Sequence, residues 1–338
     1  AGVTVITNGQ PGTTSQIRVR GFGAFGGNQP LYIVDGVPTE DIRFLNPDDI
    51  ETTTVLKDAA SASIYGARAA GGVIVYTTKK AKRGQKLNIT YDNMFGVTTP
   101  GKGQAMMNPT DFADWTWNAI RNTATQNGTD PTAALATFNH PQFGGGTTPK
   151  IPDYLTVGSV QGFTGTVDMA AQKLLYNNDP RLGGIYQVTK ANKEGTDWYD
   201  EITNNAPVVR QTLGFSGGGE SNRFYVGLSA QNQDGILLNN SFDRYAARIN
   251  SEFDVLKNLR IGENMQFTMQ KVLGIGGGNG GQGVAADEND ILAAFRMPSI
   301  IPVYDEFGGY AGTASKGFNN PRNPVANREG LGNNQAHQ

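Results

Sequence analysis

One stretch, residues 46–80 with the sequence NPDDIETTTVLKDAASASIYGARAAGGVIVYTTKK, constrains the fold of this chain more than any other. Over residues 52–57, with the sequence TTTVLK, positions 52, 54 and 56 alternate with positions 53, 55 and 57, and these residue types suit an extended strand. Asp58 stands at a helix N-cap position before a run of small residues, and Gly66 ends that short helix. A Gly-Gly pair then predicts a turn, and the β-branched run VIVYTTK predicts a second strand.

A strand, a short helix and a strand are typical of any small α/β core. The order of residue types is therefore needed to indicate a particular family. The succession NP-DDIE, VLKDA, IYG-ARAA, GGVI and Thr-Thr-Lys resembles the last part of the plug domain of TonB-dependent outer-membrane transporters, and more narrowly that of the SusC/RagA family. Two earlier segments, IRVRG at residues 17–21 and QPLYIVDGVP at residues 29–38, match the same plug. The resemblance implies a plug domain over residues 1–82.

Composition excludes several function classes. Lys and Arg number 28 and Asp and Glu number 30, and this net charge of -2 gives no reason to expect a nucleic-acid partner. Cysteine is absent, which excludes disulfides and cysteine-based sites. Only His140 and His337 are present, and we expect both to be exposed loop residues, so Ser-His catalysis and histidine metal sites are disfavoured. We therefore predict no catalysis, no cofactor and no metal site.

Two short motifs invite a functional interpretation that their context does not support. The run GFGAFG at residues 21–26 satisfies the dinucleotide-binding pattern GxGxxG, but that motif needs a following helix, and another strand follows here. We therefore predict no nucleotide binding. Asp35 and Gly36 form a pair typical of a hairpin turn, and no acid or histidine near Asp35 favours catalysis instead.

Apolar and polar side chains alternate in five later runs, which predicts five strands, each with one apolar and one polar face. The polar faces are rich in Arg, Asn and Gln. A soluble sandwich could expose such a face, whereas in an outer-membrane barrel it would line the lumen against the plug, and the apolar face would contact lipid. The runs are 87–97, 209–217, 223–231, 244–253 and 259–270.

The connections between these runs alternate in length. Short turns at residues 217–222 and 255–258 alternate with long connections after Val97, Gln231 and Lys271. Outer-membrane barrels have short periplasmic turns and long external loops, so we expect the first strand to rise from the periplasm directly after the plug. No apolar run approaches the ~20 residues of a membrane-spanning helix.

The long connection after residue 97 should contain structure of its own. Residues 108–122 predict a helix with Thr110 or Asp111 as its N-cap. Trp115 and Trp117 lie on this helix and are candidates for contact with a substrate, because exposed aromatic rings stack on sugars or anchor partners. The alternative, which we favour, is that both rings form a small core of the loop itself.

Two charged clusters carry weaker alternatives. The basic residues of segment 79–86 could bind anions, but we expect a solvated hinge between plug and barrel. The acidic residues Asp287, Glu288 and Asp290 could bind calcium, but the EF-hand spacing is missing, and we expect a solvated helix start.

The resemblance implies an α+β plug domain inside a transmembrane antiparallel β-barrel, with residues 83–338 as the first barrel strands and their long extracellular loops. Such barrels close about 22 strands around the plug. Five strands would leave open edges that cannot sit in a membrane, so we expect the chain to be a piece of a much larger protein. Its abrupt strand-like start at residues 1–6 fits that expectation.

In function, the resemblance implies TonB-dependent active import of oligosaccharides or peptides across the outer membrane of a Bacteroidetes-type bacterium. A SusD-like surface lipoprotein would be the partner, and TonB would act through a segment outside this chain. The alternatives are a surface binding or adhesion protein and a soluble carbohydrate enzyme. The sequence contains no convincing pair of catalytic carboxylates, which argues against the enzyme. With the plug as a gate, the candidate gate residues are Arg18, Arg20, Asp35, Lys57, Asp58 and Arg68.

Overall fold

The described residues form two compact units. The computed structural model of the chain describes residues 2–7, 9, 11–13, 15–19, 21, 29–157, 165–177, 181, 186–274, 290–312, 317–318, 323–330 and 335–337. The first unit comprises Ala1–Thr99, Asn205–Gly277 and Asn334–Gln338, and the second comprises Pro100–Asn204 and Gly278–Asn333. The first unit therefore contains both the plug segment and the predicted barrel strands.

A small α+β plug opens the first unit. Its four-stranded sheet has the order β4-β3-β6-β5, with β3 parallel to β6 and the other neighbours antiparallel, while β1 and β2 form a separate antiparallel pair. A 3₁₀ segment, Ser63–Gly71, continues α1, and Gly66 breaks its helical geometry at a φ of 68°. The predicted succession of strand, helix, turn and strand is confirmed. The elements are β1 (Val3–Ile6), β2 (Gln16–Val19), β3 (Leu31–Val34), β4 (Val37–Thr39), β5 (Ile50–Leu56), α1 (Ala59–Ala62) and β6 (Val73–Thr78).

The central plug sheet buries apolar side chains on both faces. On one face, Ile33 and Val73 are fully buried and pack in one cluster with Ala62 of α1. On the other face, Tyr32 and Tyr76 pack with Leu45 from the segment that precedes β5. Burial of an aliphatic side chain of this size contributes roughly 1.5–3 kcal/mol, so this core fixes the path of residues 42–50 across the sheet.

The second unit consists of short helices and short strand pairs. β7 (Asn88–Thr98) leads out of the first unit before it. Among the helices in the described part of the chain, none is both long enough and apolar enough to cross a membrane. The elements of the second unit are α2 (Pro109–Gln126), α3 (Pro131–Thr137), β8 (Asn139–His140), β9 (Gly144–Gly145), β10 (Tyr154–Val157), α4 (Met169–Leu175), β11 (Gln187–Lys190), α5 (Trp198–Ile202), α6 (Asp290–Arg296) and α7 (Pro324–Gly330).

Two sequence predictions about these helices are wrong in detail. The helix predicted over residues 108–122 is present, but its N-cap is Asn108, whose side-chain oxygen accepts the Asp111 N–H at 2.8 Å, because Pro109 takes the first helical position. Asp290 was expected to be solvated, yet it is buried at the start of α6 beside the guanidinium of Arg328. Asp287 and Glu288 lie outside the described residues.

The first unit closes with a long antiparallel sheet, here called the strand sheet. It has the order β16-β15-β14-β13-β12-β7, so the five predicted strands are confirmed and a short sixth strand pairs with the end of β15. The connection between β13 and β14 spans residues 235–240, shorter than predicted, because both strands extend further than their alternation indicated. The later strands are β12 (Ala206–Gly218), β13 (Asn222–Asp234), β14 (Ser241–Leu256), β15 (Leu259–Leu273) and β16 (Gln335–His337).

The two faces of the strand sheet differ sharply in chemistry. One face is apolar and exposed, with Phe95 70%, Phe267 62% and Met269 63% accessible. The other carries polar side chains such as Arg244 and Arg248, which are buried against the plug. The period of two along each strand produces this division, as the alternation predicted.

Candidate functional site

The plug and the strand sheet meet in a polar interface that begins with the plug backbone at residues 43–45. Arg244 of β14 donates through Nη1 to the carbonyl oxygens of Arg43 and Leu45 at 3.1 and 3.0 Å. Gln266 of β15 donates to the carbonyl oxygen of Phe44 between them. Carbonyl groups that the plug's own sheet leaves unpaired are thus satisfied by the strands, as buried backbone groups require.

The sequence NPDD turns the chain so that two carboxylates point at the strands. Pro47 starts a 3₁₀ turn, Pro47–Asp49, and the side chain of Asn46 accepts the Asp48 N–H at 3.5 Å. Asn46 is fully buried and donates through Nδ2 to Thr212 Oγ1 of β12 at 3.1 Å. The cap residue therefore also joins the turn to the strand sheet.

Asp48 forms an ion pair with β12. Its Oδ1 lies 3.1 Å from Arg210 Nη2, and its Oδ2 lies 2.9 Å from Arg210 Nε. Thr212 Oγ1 donates to Oδ2 at 3.0 Å. A carboxylate that faces the Nε–Nη2 edge of a guanidinium has a defined orientation, which a lysine in place of Arg210 would not provide.

Asp49 is the most deeply buried acid of the interface, with 3% of its side chain exposed. Tyr225 of β13 donates its hydroxyl to Oδ1 at 2.8 Å, and Arg248 Nε of β14 lies 3.9 Å from Oδ2. Burial raises the pKa of Asp49, whereas the Tyr225 hydrogen bond and the charge of Arg248 oppose that rise. These two strand residues, together with the charge of Lys79, therefore compensate the buried carboxylate.

Two glycines provide the space for the Asp49 carboxylate and the Tyr225 ring that contacts it. Gly214 of β12 and Gly227 of β13 are directly opposite each other in the sheet and face the plug. A Cβ atom on Gly227 would lie 2.7 Å from Asp49 Oδ1 and 3.0 Å from the Tyr225 hydroxyl. Neighbouring strands thus leave a notch, the Gly214–Gly227 notch, into which the tyrosine ring and the carboxylate fit.

Asp35 links the hairpin between β3 and β4 to β14. Its backbone adopts a φ of 49°, which fits the predicted turn, and its carboxylate accepts the Thr78 N–H at 2.9 Å and the Thr78 hydroxyl at 2.5 Å. Arg248 Nη1 lies 3.5 Å from Oδ2, and Asn250 donates to Thr78 Oγ1 at 3.0 Å. The sequence indicated the turn, but not this second role of the side chain.

Charge is divided cleanly across the interface, with guanidinium groups on the strands and carboxylates on the plug. Buried ion pairs add little net stability, because desolvation offsets the attraction, but removal of one partner leaves an uncompensated charge that costs about 3–5 kcal/mol. The interface is therefore polar and interdependent, unlike the plug core. The strand residues are Arg210, Arg244 and Arg248, and the plug acids are Asp35, Asp48 and Asp49.

The connection from the plug to β7 carries a second group of charges. Its basic side chains are largely exposed, as a solvated hinge requires. Arg83, however, forms ion pairs with Glu252 and Asp254 near the end of β14, where Arg260 also approaches Asp254 at 2.9 Å. Because solvent screens exposed pairs of this kind, they contribute little to holding this connection in place.

The predicted gate residues differ in their positions. Asp35 lies in the interface, as described above. Lys57, Asp58 and Arg68 are exposed on the plug, and Arg18 lies in β2 with Nη2 3.4 Å from Gln16 Oε1. Arg20 lies outside the described residues. A gating role for all six residues therefore stays a prediction.

Sequence reasoning missed the acids that contact the strands most directly. Asp48 and Asp49 were visible as a consecutive pair after Asn-Pro, a pattern that places two carboxylates on the outside of one tight turn. The alternation had already assigned Arg210, Arg244 and Arg248 to the polar face. Pairing the two sets required the register between plug and strands, which the sequence does not contain.

The two tryptophans of α2, in the second unit, differ in burial. Trp117 is fully buried, donates through Nε1 to the carbonyl oxygen of Gly146 at 2.8 Å, and packs edge-on against Phe138 at 5.0 Å. It belongs to a small loop core, as favoured above. Trp115 is 60% exposed and stays a candidate for substrate contact.

His140, also in the second unit, is buried, so the prediction of an exposed loop histidine is wrong. Its ring stacks on Phe143 at 4.7 Å, and Nδ1 accepts the N–H groups of Gln142 and Phe143 at 3.2 Å each. Nε2 lies 3.0 Å from the carbonyl oxygen of Gly317, and burial lowers the pKa of the ring. Only the backbone of His337 is described. Within the described ranges, no group of three or more His, Asp or Glu side chains could hold a metal ion.

Comparison with known proteins identifies the plug and its continuation. Residues 1–73 match the family described as TonB-dependent Receptor Plug Domain. TonB-dependent receptor P39 of Formosa agariphila is 30% identical over 280 residues, which cover 82% of this chain and 22% of that receptor. TonB-dependent receptor SusC of Bacteroides thetaiotaomicron is 46% identical over 103 residues, covering 27% of this chain and 10% of SusC.

Two solved structures of the RagAB peptide importer, in its 'closed-closed' and 'open-open' states, share the fold of this chain with a TM-score of 0.64 each. Their identities are 23% and 24%, and each match covers 96% of this chain and 33% of the other. The chain is part of a SusC/RagA-like TonB-dependent receptor.

This receptor segment spans between 22% and 27% of the length of the three Formosa agariphila receptors that it matches. The fold comparison supports the interpretation of the strand sheet as part of a barrel. No closed barrel is seen among the described residues. The division at residue 82 stays a prediction.

The Gly214–Gly227 notch generates a first prediction. Gly227→Ala should loosen the docking of Asp49, because the added Cβ would overlap Oδ1, and overpacking of this kind costs about 1–3 kcal/mol. Hydrogen exchange should quicken at the amides of Asp49 and Lys79, which are bonded to Asn46 O and Asp49 O. Gly101→Ala is the matched control, since no atom lies near its Cβ position. Unchanged exchange in Gly227→Ala would contradict the notch.

His140 generates a pH prediction. Because the folded-state pKa is lowered from about 6.5, the neutral ring stabilises the loop core above that value, and this stability is lost as the pH falls below it. Hydrogen exchange of residues 138–146 should therefore quicken between pH 7.5 and pH 5, after correction for intrinsic rates. His140→Gln should remove most of that pH dependence. If the variant kept it, a group other than His140 would be responsible.

Proposed function

We propose that this receptor imports nutrients across the bacterial outer membrane in a TonB-dependent manner, with the plug as the gate. The observation that carries the proposal is the docking of a compact plug, through buried charges, on the polar face of a strand sheet whose other face is apolar and exposed. A gate needs a contact that closes the passage and still separates without unfolding either side. An interface of ion pairs and hydrogen bonds, rather than a fused apolar core, suits that requirement.

The apolar face of the strand sheet is suited to lipid. Side chains such as Phe95, Phe267 and Met269 would cost free energy in water but contact acyl chains favourably. The strand sheet would continue, through strands outside this chain, into a barrel of about 22 strands. Residues 1–82 would then occupy its lumen.

Opening would proceed by displacement of the plug from the strands. TonB, powered by the inner-membrane proton gradient, would pull on a segment outside this chain. Water entering the gap would hydrate the guanidinium and carboxylate groups, so part of the lost pairing energy is replaced. Asp35 and Asp49 share Arg248, so the release of this one side chain would separate these two acids from that cation of β14.

The proposed partner is a SusD-like surface lipoprotein, and the proposed substrates are oligosaccharides or peptides. The resemblance to SusC supports the first, and the RagAB structures, whose protein is described as a peptide importer, support one of the two substrate classes. The protein would act without covalent chemistry. The long connection after β7 would belong to the extracellular side.

The full-length receptor, expressed with its neighbouring lipoprotein in a strain lacking its own copies, tests the proposal. Uptake of fluorescent oligosaccharide and peptide libraries should require both the receptor and the proton gradient. Uptake that survived dissipation of the gradient would contradict active import. Surface labelling without any internalisation would favour a binding or adhesion protein instead.

Arg248 provides a residue-level prediction for the gate. Arg248→Gln should make the resting receptor leak small solutes, because Asp35 and Asp49 would be left buried without their cation, at a cost of about 3–5 kcal/mol. The measurement is the sensitivity of cells to an antibiotic that normally cannot enter, together with single-channel conductance in planar bilayers.

Two further variants separate charge from packing. Arg248→Gln combined with Asp49→Asn should leak less than Arg248→Gln alone, since one of the uncompensated charges is gone. Arg260→Gln, in which a largely exposed arginine changes in the same way, should leave the pore closed. Equal leakage from Arg248→Gln and Arg260→Gln would refute the role of Arg248.

A further inference from the structure

Two exposed tyrosines lie side by side on a hairpin of the second unit. Tyr304 and Tyr310 form an antiparallel bridge, and their ring centroids are 5.4 Å apart with planes inclined by 32°. The hairpin is closed by backbone hydrogen bonds from Ala311 N to Val303 O at 2.9 Å and from Asp305 N to Gly309 O at 2.8 Å. Tyr304 is 48% and Tyr310 37% exposed, so a large part of each side chain is accessible.

The two rings lie on the more exposed side of this hairpin. Its opposite side carries Val303, Asp305 and Ala311, all buried. The carboxylate of Asp305 accepts the N–H groups of Phe307 and Gly309 at 2.8 Å each, which fixes the turn from inside. Two neighbouring aromatic rings that are partly exposed on a hairpin closed by its own hydrogen bonds form a candidate binding surface.

Both phenol groups are tied to one carboxylate. Tyr304 donates to Glu329 Oε1 at 3.4 Å, and Tyr310 donates to Oε2 of the same side chain, which raises the pKa of Tyr310 to about 12. Glu329 belongs to α7, whose preceding residue Asn323 donates to the carbonyl oxygens of Val303 and Ala311 at 3.0 and 3.2 Å. Helix and hairpin are thus joined directly, so the rings and the carboxylate keep a fixed mutual arrangement, which reduces the entropy lost on binding.

The chemistry of these groups selects a particular kind of ligand. Since both hydroxyl protons point at Glu329, the remaining lone pairs of the phenols and the carboxylate can only accept hydrogen bonds. The ring faces carry negative electrostatic potential. The charge of Glu201 on α5 also acts on Tyr304. Acceptors, ring faces and two carboxylates together attract a cationic donor, whereas a neutral sugar would also need donors to satisfy its hydroxyl oxygens.

We propose that Tyr304, Tyr310 and Glu329 bind the ammonium or guanidinium group of a basic side chain in a peptide, an inference that rests on the proposed import of nutrients. The cation would lie against the exposed rings and pair with the free lone pairs of Glu329. Cation–π contacts at exposed sites contribute about 0.5–1 kcal/mol, equivalent to an affinity change of about two- to fivefold for each ring.

The test compares two synthetic peptides that differ only in one side chain, lysine against norleucine, for binding to the full-length receptor in detergent by calorimetry. We expect the lysine peptide to bind about fivefold or more tightly at low salt, and Glu329→Gln to abolish that preference. Tyr304→Leu and Tyr310→Leu should each reduce it about two- to fivefold. Glu306→Gln is the matched control, because Glu306 is an exposed acid on the same hairpin whose loss removes the same charge.

Several outcomes would overturn the site. An equal preference in Glu329→Gln and the unaltered receptor would do so, as would binding of neither peptide, or tighter binding of a neutral glucose oligosaccharide that depends on Tyr304 and Tyr310. If the variants melted at a lower temperature but kept the lysine preference, the three residues would have a structural role and not a binding role. Lysine-dependent binding without energised uptake would sink the import proposal but leave the cation site standing.

Discussion

The pairing of strand guanidinium groups with plug carboxylates is the interaction on which the arrangement of the first unit depends. Arg248 serves Asp35 and Asp49 together, and these three side chains are almost completely buried. Their mutual compensation makes the docked position specific, because a shift of the plug along the strands would leave charges unpaired in a region with little water. The alternation along each strand places the arginines on the face toward the plug, and the tight NPDD turn presents two of the carboxylates to them.

The plug core and the interface divide two tasks. The core, built from both faces of the sheet around Ile33 and Ile74, consists of plug residues alone. The interface attaches the plug to the strands through polar contacts. A domain held in this way can move as a unit, which a plug sharing an apolar core with the barrel wall could not do.

Much of this organisation was predictable from the sequence, and the remainder was not for identifiable reasons. Local rules found the strand–helix–strand element, the alternating strands and the α2 helix, because hydrophobic period and turn residues act over short distances. They failed for His140 and Asp290, whose burial depends on Gly317 and Arg328 far along the chain. They also missed Asp48 and Asp49 as site residues, since a pair of acids in a turn looks solvated until its partners are placed.

The contact of Arg244 and Gln266 with main-chain oxygens has a consequence for how such a receptor can diverge. The groups recognised at Arg43, Phe44 and Leu45 are carbonyl oxygens, which every amino acid possesses. Exposed Arg43 can therefore change without any compensating change in the strands, and the other two need only satisfy the plug's own core. Plug and barrel wall could accumulate substitutions at this point independently, while the acid–arginine pairs beside it would have to change together.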